Sequence, residues 1–412
     1  MKLFLLFIQI TEIVFSGFLH SAVPKMVING LLIFNILLEL PTCWKIYNFH
    51  LQLQQFPACS TRQTLGKTIR MQNEQLPPFV RFLLEPGSYS PPPAEVKLVQ
   101  THISYVFLAG DHVYKFKKPV DFGFLDFTTL DKRHHFCEQE LVLNRRLCPS
   151  IYLDLAALAK TDNNFSLTSP AQANTEDIVE YGIKMKRMPE EQMMANVIKS
   201  GRLVPDMIDS ICDVLVPFYA RADGGPKIQE FGQPEAVSVN IFENFSQTEA
   251  FIGSPSLSKD QFDGIKNFST TFLQQDELFA ARISAGRIRD CHGDLYSANI
   301  CLADQVYIFD CIEFNERFRY CDVASDIAFL AMDLDYHGLS SLSERFVNRF
   351  REASQDESLI EMLSFYKCYR AYVRGKINLF TAHAPEVDTA TKENCLAMAG
   401  KYFALAEQYA SR

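Results

Sequence analysis

The sequence predicts an α+β protein made of two unequal parts, a small strand-rich one followed by a larger helical one. Three observations predict it. Between residues 96 and 120, and again between 177 and 188, apolar and polar residues alternate, with β-branched residues among them. That is the period of a half-buried strand. From Pro189 onward the apolar residues recur mainly at helical spacing. Within that helical part, one pair of short apolar runs, Asn299 to Leu302 and Val306 to Phe309, is spaced for a hairpin.

The elements follow in order. Pro77 and Pro78 open a short helix, Phe79 to Leu84, and Pro86, Gly87 and Pro91 to Pro93 stop it in a stiff loop. Val96 to Leu108 reads as one strand. Gly110-Asp111 marks a turn, and Val113 to Val120 returns as the second arm of a hairpin. Leu130 to Leu147 reads as a charged amphipathic helix closed by Pro149. Asp177 to Met188 is a strand with Val179, Tyr181, Ile183 and Met185 on one face. Helices are expected at Glu191 to Lys199, Met207 to Arg221, Lys259 to Leu273, Gln274 to Ser284 and from the hairpin to the C-terminus. The strand-rich part is placed at residues 71–187 and the helical part at 188–412.

Residues 1–70 stand apart. Leu3 to Phe18 and Met26 to Leu40 are apolar runs, shorter than the roughly 20 residues that span a bilayer. Lys2 before an apolar stretch resembles a signal peptide, but no small-residue cleavage site follows cleanly. A membrane-associated leader and a transit segment compete with an upstream start assigned in error. The last is preferred, because Met71 opens the first stretch of ordinary globular composition.

The 412 residues are 48% hydrophobic and 22% charged, ordinary for a globular enzyme able to bury a sizeable core. A formal charge of −9 argues against a nucleic-acid binder. The 11 cysteines are scattered, with no CxxC pair and no Cys/His cluster at zinc spacing. Cys291, Cys301, Cys311 and Cys321 fall ten apart, which matches no ligand geometry. Ordinary buried thiols fit a reducing, cytoplasmic compartment.

The chemistry concentrates in His292-Gly293-Asp294-Leu295-Tyr296-Ser297-Ala298-Asn299, followed by the apolar hairpin and then Asp310. Phosphoryl transfer needs such a set. One carboxylate orients the attacking hydroxyl and accepts its proton, while other oxygen ligands hold magnesium against the phosphates. Asp294 suits the base role. Asn299 and Asp310 suit the metal, which prefers carboxylate, amide oxygen and water.

Residues 292–299 with Asp310 resemble the catalytic loop and metal aspartate of the aminoglycoside phosphotransferase-like kinases. The resemblance extends to Phe309-Asp310-Cys311-Ile312-Glu313-Phe314-Asn315, to Asp322 through Leu330, to Thr101 through Leu108 and to Val113 through Pro119. It covers roughly Met71 to Ser411. It implies a protein-kinase-like two-lobe fold with ATP and Mg2+ as cofactors. These segments are similar to a bacterial subgroup often fused to a C-terminal P-loop domain, but this chain has no GxxxxGK[ST] segment.

The resemblance also assigns further residues. Lys115 is the expected strand lysine for the α- and β-phosphates, with Lys117 the alternate. Glu140 on the following helix is its expected partner, with Glu138 second. Thr101 and Ser104 stand where a glycine-rich loop would lie, and are expected to offer hydroxyl or backbone donors instead. The interlobe hinge is expected near Lys186-Arg187-Met188, with Met185 or Met188 packing on the adenine. His292 is expected to brace the catalytic loop, and so is Asp326. Glu313 reads equally as a metal or substrate contact and as a solvent-exposed charge.

Lys367, Arg370 and Arg374 form one basic stripe on a helix over Leu363 to Phe380. If it faces the cleft, the substrate is anionic. Pairing with Asp322 or Asp333, or a solvated face, is the preferred reading. The function expected is transfer from ATP to a hydroxyl of a small molecule. A catalytically silent nucleotide-binding module and a protein Ser/Thr kinase are the rivals. Neither a nucleic-acid nor a membrane partner is expected, unless the leader is real.

Overall fold

The computed structural model describes residues 76–411, apart from 163 and 386. The expectations for residues 1–70 lie outside the described residues.

Six strands form one antiparallel sheet in the order β1-β2-β3-β6-β4-β5. They are β1 (Val96–Gln100), β2 (Ser104–Ala109), β3 (His112–Lys117), β4 (Tyr152–Thr161), β5 (Asn164–Thr168) and β6 (Ile178–Lys186). The short helix α1 (Pro78–Leu84) covers one face. Its Val80 and Leu83 join Tyr105, Phe107, Tyr114, Phe116 and Leu158 in a small aromatic core. Helix α2 (Leu130–Asn144) covers the other face, where Cys137 and Leu141 meet Tyr181, Ile183 and Met185. Thr129 caps α2 by accepting a hydrogen bond from the N–H of Lys132 at 3.2 Å.

The single strand expected over Val96 to Leu108 is two strands. The N–H groups of Ile103 and Ser104 donate to the Thr101 hydroxyl at 3.3 and 2.9 Å, and the N–H of Thr101 donates to the Ser104 carbonyl. A threonine side chain thus closes a turn that has no glycine or proline to announce it. Strand β3 stops at Lys117, three residues earlier than expected. The β4–β5 hairpin was not foreseen, because the Leu-Ala-Ala-Leu-Ala run at its centre lacks the alternation that marks a strand.

The helical part begins with α3 (Met194–Lys199), α4 (Pro205–Arg221), α5 (Pro226–Gln229), α6 (Pro234–Thr248), α7 (Lys259–Phe272) and α8 (Asp276–Ser284). Of these, α6 lay in a stretch with no expected element. Strand β7 (Ile288–Asp290) leads into the motif. The hairpin β8 (Ile300–Leu302) and β9 (Val306–Ile308) follows it, paired Ile300 to Ile308. After α9 (Glu316–Arg319), β10 (Tyr320–Asp322) returns to pair with β7. Helices α10 (Val323–Tyr336), α11 (Ser340–Ser354), α12 (Leu359–Ala382) and α13 (Thr389–Ala410) complete the chain.

Every residue of α10 from Val323 to Leu334 is buried, so this helix is the axis of the larger core. Its N-terminus is tied by Asp322, which caps Ala324 and takes two hydrogen bonds, at 2.8 and 2.6 Å, from the fully buried Arg282. Helices α12 and α13 approach closely at Gly375, where a Cβ would come within 2.8 Å of the Phe403 ring. The whole is the small-sheet and large-helical α+β arrangement expected.

Candidate active site

Residues 292–299 are held by a glycine torsion and by two buried side chains. Gly293 has φ +86°, and a Cβ there would meet the Phe318 carbonyl at 2.9 Å. Only glycine suits both the torsion and the space. The fully buried Asp326 accepts from the N–H of His292 at 2.7 Å and of Gly293 at 3.0 Å, and from the Tyr219 hydroxyl at 3.0 Å. His292 is also fully buried. Its Nε2 lies 3.0 Å from the Phe309 carbonyl, and its Nδ1 lies 3.3 Å from the Asp294 N–H. These partners assign a neutral ring protonated at Nε2. Burial pushes its pKa down to about 4, so it stays neutral at physiological pH. The ring is a strut between the loop and the strand that ends before Asp310.

Asp294 and Asn299 face each other across the loop. The Asn299 amide donates to the Asp294 carbonyl and to its carboxylate Oδ2, both at 2.9 Å. The N–H of Phe309 donates to the Asn299 carbonyl at 3.0 Å, which sets Asp310 beside Asn299. Asp310 adopts φ +61°, an uncommon conformation for a residue with a side chain and one that recurs at functional sites. Burial raises the Asp294 carboxyl to about 6. The Asp310 charge adds to the rise, and Arg374 and Arg370 oppose it. A carboxyl poised near neutrality is what a general base requires.

Two lysines come from alternate positions of β3, and the structure separates them. Lys115 Nζ lies 2.8 Å from Glu140 Oε1 and 2.6 Å from Asp310 Oδ1. Lys117 Nζ lies 2.7 Å from Glu140 Oε2, pairs with Glu313, and sits 4.8 Å over the Phe127 ring with 1% exposure. Burial disfavours both ammonium groups. For Lys115 the Asp310 and Glu140 carboxylates more than offset it, and for Lys117 those of Glu140 and Glu313 do. Burial works against the Glu140 charge too, but the two lysines hold it down to about 2. Lys115 is therefore the lysine that reaches the Asp310 side, and Lys117 is an internal tie. Glu313 is not the solvent-exposed charge of one of its two readings. It is buried, and its pKa is raised by burial against the pull of Lys117.

Helix α2 reaches across to the loop below. Asn144 accepts from the N–H of Cys311 at 2.9 Å, and Arg146 donates to the carbonyls of Asp290 and Cys291 at 3.0 Å each. The Tyr152 hydroxyl receives the N–H of Asp310 at 3.3 Å. Sequence reasoning assigned no role to these three. Asn144 and Arg146 share the turn that ends α2, and that shared turn was the available signal.

The other expected residues are placed less tightly. The Thr101 hydroxyl is occupied in its own turn. Ser104 is fully buried opposite Lys117 in the sheet, and its hydroxyl has no hydrogen-bond partner. The N–H groups of Lys186 and Arg187 are used by Ile151 and Asp111. Met188 packs, half-buried, in the cluster that includes Val113, Met185, Tyr307 and Phe309. The basic stripe is divided, and its acidic partners differ from those expected. Lys367 pairs with Asp335 at 2.8 Å. Arg370 donates to the Gly293 carbonyl at 2.9 Å and lies 3.6 Å from Asp326. Asp322 is taken by Arg282, and Asp333 receives the N–H of Ser297 at 3.0 Å.

Among the described residues, no group of three or more His, Cys, Asp or Glu forms a metal cage. Asn299 and Asp310 fit magnesium, which uses one or two protein oxygens and takes phosphate and water for the rest. A strand lysine paired with a helix glutamate, above a loop carrying Asp and Asn and a hairpin ending in Asp, is the layout of the protein-kinase-like fold.

No family model matches the chain. It is similar to uncharacterised proteins of Mycobacterium tuberculosis and Mycobacterium bovis, at 34% identity over 291 residues. The match covers 70% of this chain and 56% of theirs, so the chain spans little more than half the length of the curated relatives it matches. Among solved structures it is similar to a choline/ethanolamine kinase family protein from Mesorhizobium loti, at 12% identity and TM-score 0.40, over 83% of this chain and 99% of that one. It is also similar to a putative aminoglycoside phosphotransferase from Ralstonia eutropha, at 13% and 0.39, over 84% and 98%. An amicoumacin kinase in complex with AMP-PNP matches at 10% and 0.43, over 84% and 94%.

Proposed function

We propose that the chain is a magnesium-dependent phosphotransferase of the aminoglycoside phosphotransferase-like family, moving the terminal phosphoryl group of ATP to a hydroxyl of a small molecule. The observation that carries this reading is Lys115 bridging Glu140 and Asp310, with Asp310 near enough to the Asn299-bonded Asp294 for the two charges to interact. Lys115 lies where it can release Asp310 and take the nucleotide phosphates. Glu140 keeps it in line. The Thr101 turn and Ser104 would lie at the nucleotide side of the sheet, but the turn's N–H groups of Thr101, Ile103 and Ser104 are used internally and the Ser104 hydroxyl is buried. Met188 and its apolar neighbours would pack on the base, and the Met188 backbone would meet its edge.

Asp294 orients the acceptor hydroxyl and takes its proton as the acceptor oxygen bonds to phosphorus and ADP departs. Asn299 holds Asp294 in position through its amide N–H. Magnesium on Asn299 and Asp310 would neutralise the phosphate oxygens as charge builds during transfer. We place the nucleotide-binding lobe at 71–187 and the acceptor lobe at 188–412. Nine free thiols among the described residues suit a cytoplasmic setting.

The test is thermal stabilisation by ATP with magnesium, followed by ADP release over a panel of sugars, amino sugars, nucleosides and small anionic metabolites, with Asp294→Asn as control. Magnesium-dependent stabilisation and acceptor-dependent turnover, lost in the variant, are expected. Binding without turnover on any acceptor would leave a silent nucleotide-binding module.

A further inference from the structure

Of the three basic residues on α12, Arg374 is set differently from the other two. Lys367 and Arg370 point inward to Asp335 and Asp326. Among the described residues, Arg374 makes no ion pair. Its guanidinium lies 4.5 Å over the Tyr296 ring and 5.8 Å from that of Tyr402, and its Nε is buried with no hydrogen-bond partner. The rings fix it further. Tyr296 stacks on Phe329 at 5.5 Å, and Tyr402 stacks on Tyr336 at 3.9 Å.

A cation drawn out of water is normally matched by a carboxylate. Here the nearby carboxylate is Asp294, whose charge interacts with Arg374 across the mouth of the loop. Asp294 must stay free for the acceptor hydroxyl. A planar guanidinium resting on an aromatic ring, with its buried Nε–H unpaired, is pre-organised for a carboxylate or phosphate. Resting on the phosphotransferase reading, we infer that Arg374 is the specificity-determining residue of an anion subsite beside Asp294, and that the acceptor is a hydroxy compound bearing a carboxylate or phosphate. An acceptor of the amino-sugar type would bring its positive charges against this guanidinium.

The test uses the full chain saturated with AMP-PNP and magnesium, so that the nucleotide phosphates are already in place. Calorimetric binding is then compared in matched pairs: glycerol 3-phosphate against glycerol, and gluconate against glucose, with glucosamine as the cationic probe. A preference of about 10- to 100-fold for the anionic member is expected, the size of a charge-assisted hydrogen bond. Arg374→Gln should abolish the preference, and Arg374→Lys should keep part of it. Both should leave stabilisation by AMP-PNP and magnesium intact. Equal binding within each pair, no measurable binding of the anionic members, tighter binding of glucosamine, or a preference that survives in Arg374→Gln overturns the inference. The wild-type comparison stands even if a variant fails to fold. Failure of AMP-PNP itself to bind would instead overturn the phosphotransferase reading.

Discussion

Asp294 and His292 are two residues apart, and burial shifts them in opposite senses with respect to stability. The folded state raises the Asp294 carboxyl to about 6, so the native chain binds more protons than the unfolded one between about pH 4 and 6. Its contribution to stability therefore falls as pH rises through that window. The folded state lowers His292 to about 4, so its contribution falls as pH drops below the usual imidazole value. In the wild type the two slopes oppose each other. In Asp294→Asn only the histidine slope remains. The variant should lose roughly 10²–10⁴-fold in turnover, yet its melting temperature relative to wild type should climb between pH 4 and 7. Melting curves at half-unit intervals check this. The wild-type rate should rise with pH through about 6 as the base ionises. The lysines divide in the same manner. Lys115→Met should cost turnover while the fold stands. Lys117→Met leaves buried Glu140 with one of its two lysines and buried Glu313 without its ion-pair partner, and should cost about 3–5 kcal/mol of stability. Parallel kinetics and denaturant titrations separate the two. Periodicity puts both lysines on one face, and only the family resemblance ranked Lys115 ahead of Lys117. In the structure the positions of Glu313 and Asp310, nearly 200 residues away, distinguish them.

At the scale of the element, the β8–β9 hairpin was legible because turn residues and apolar runs lie close together in the chain. The β1–β2 turn and the β4–β5 hairpin were not. One is closed by a threonine hydroxyl and the other carries an alanine-rich centre, so neither displays local punctuation. The role of the C-terminal turn of α2 was harder to read for a different reason. Asn144 and Arg146 look like ordinary helix-end polar residues until the loop they grip is brought beneath them. Arg146→Ala should lower the melting temperature by several degrees, because two buried carbonyls lose their donor. It should also reduce turnover more than it weakens nucleotide binding. Gly293→Ala should be the more severe change, because it meets both a positive φ and the Phe318 carbonyl. Its expected outcome is loss of turnover with at least about 1–3 kcal/mol of destabilisation, read by ADP release and chemical denaturation.

Across the described residues, the three apolar clusters are ordinary hydrophobic solutions, and the polar network between the sheet and the helical part is the unusual one. Among the described residues no helix is long and apolar enough to cross a membrane. The division into a sheet and a helical body could be read from periodicity, but the partners of α6 and α12 could not. The α12 residue Lys376 meets Asn244 of α6, which left no clear sequence signal, and Arg370 meets the Gly293 carbonyl. Glu140 touches both lysines of β3, and Lys117 is in turn tied to Glu313. Were the Lys115 pair lost, Glu140 would keep a second cation at its side. Helix α2 therefore has no electrostatic reason to swing outward in the resting protein. The tie between α2 and β3 stands on Lys117 even where Lys115 is engaged elsewhere.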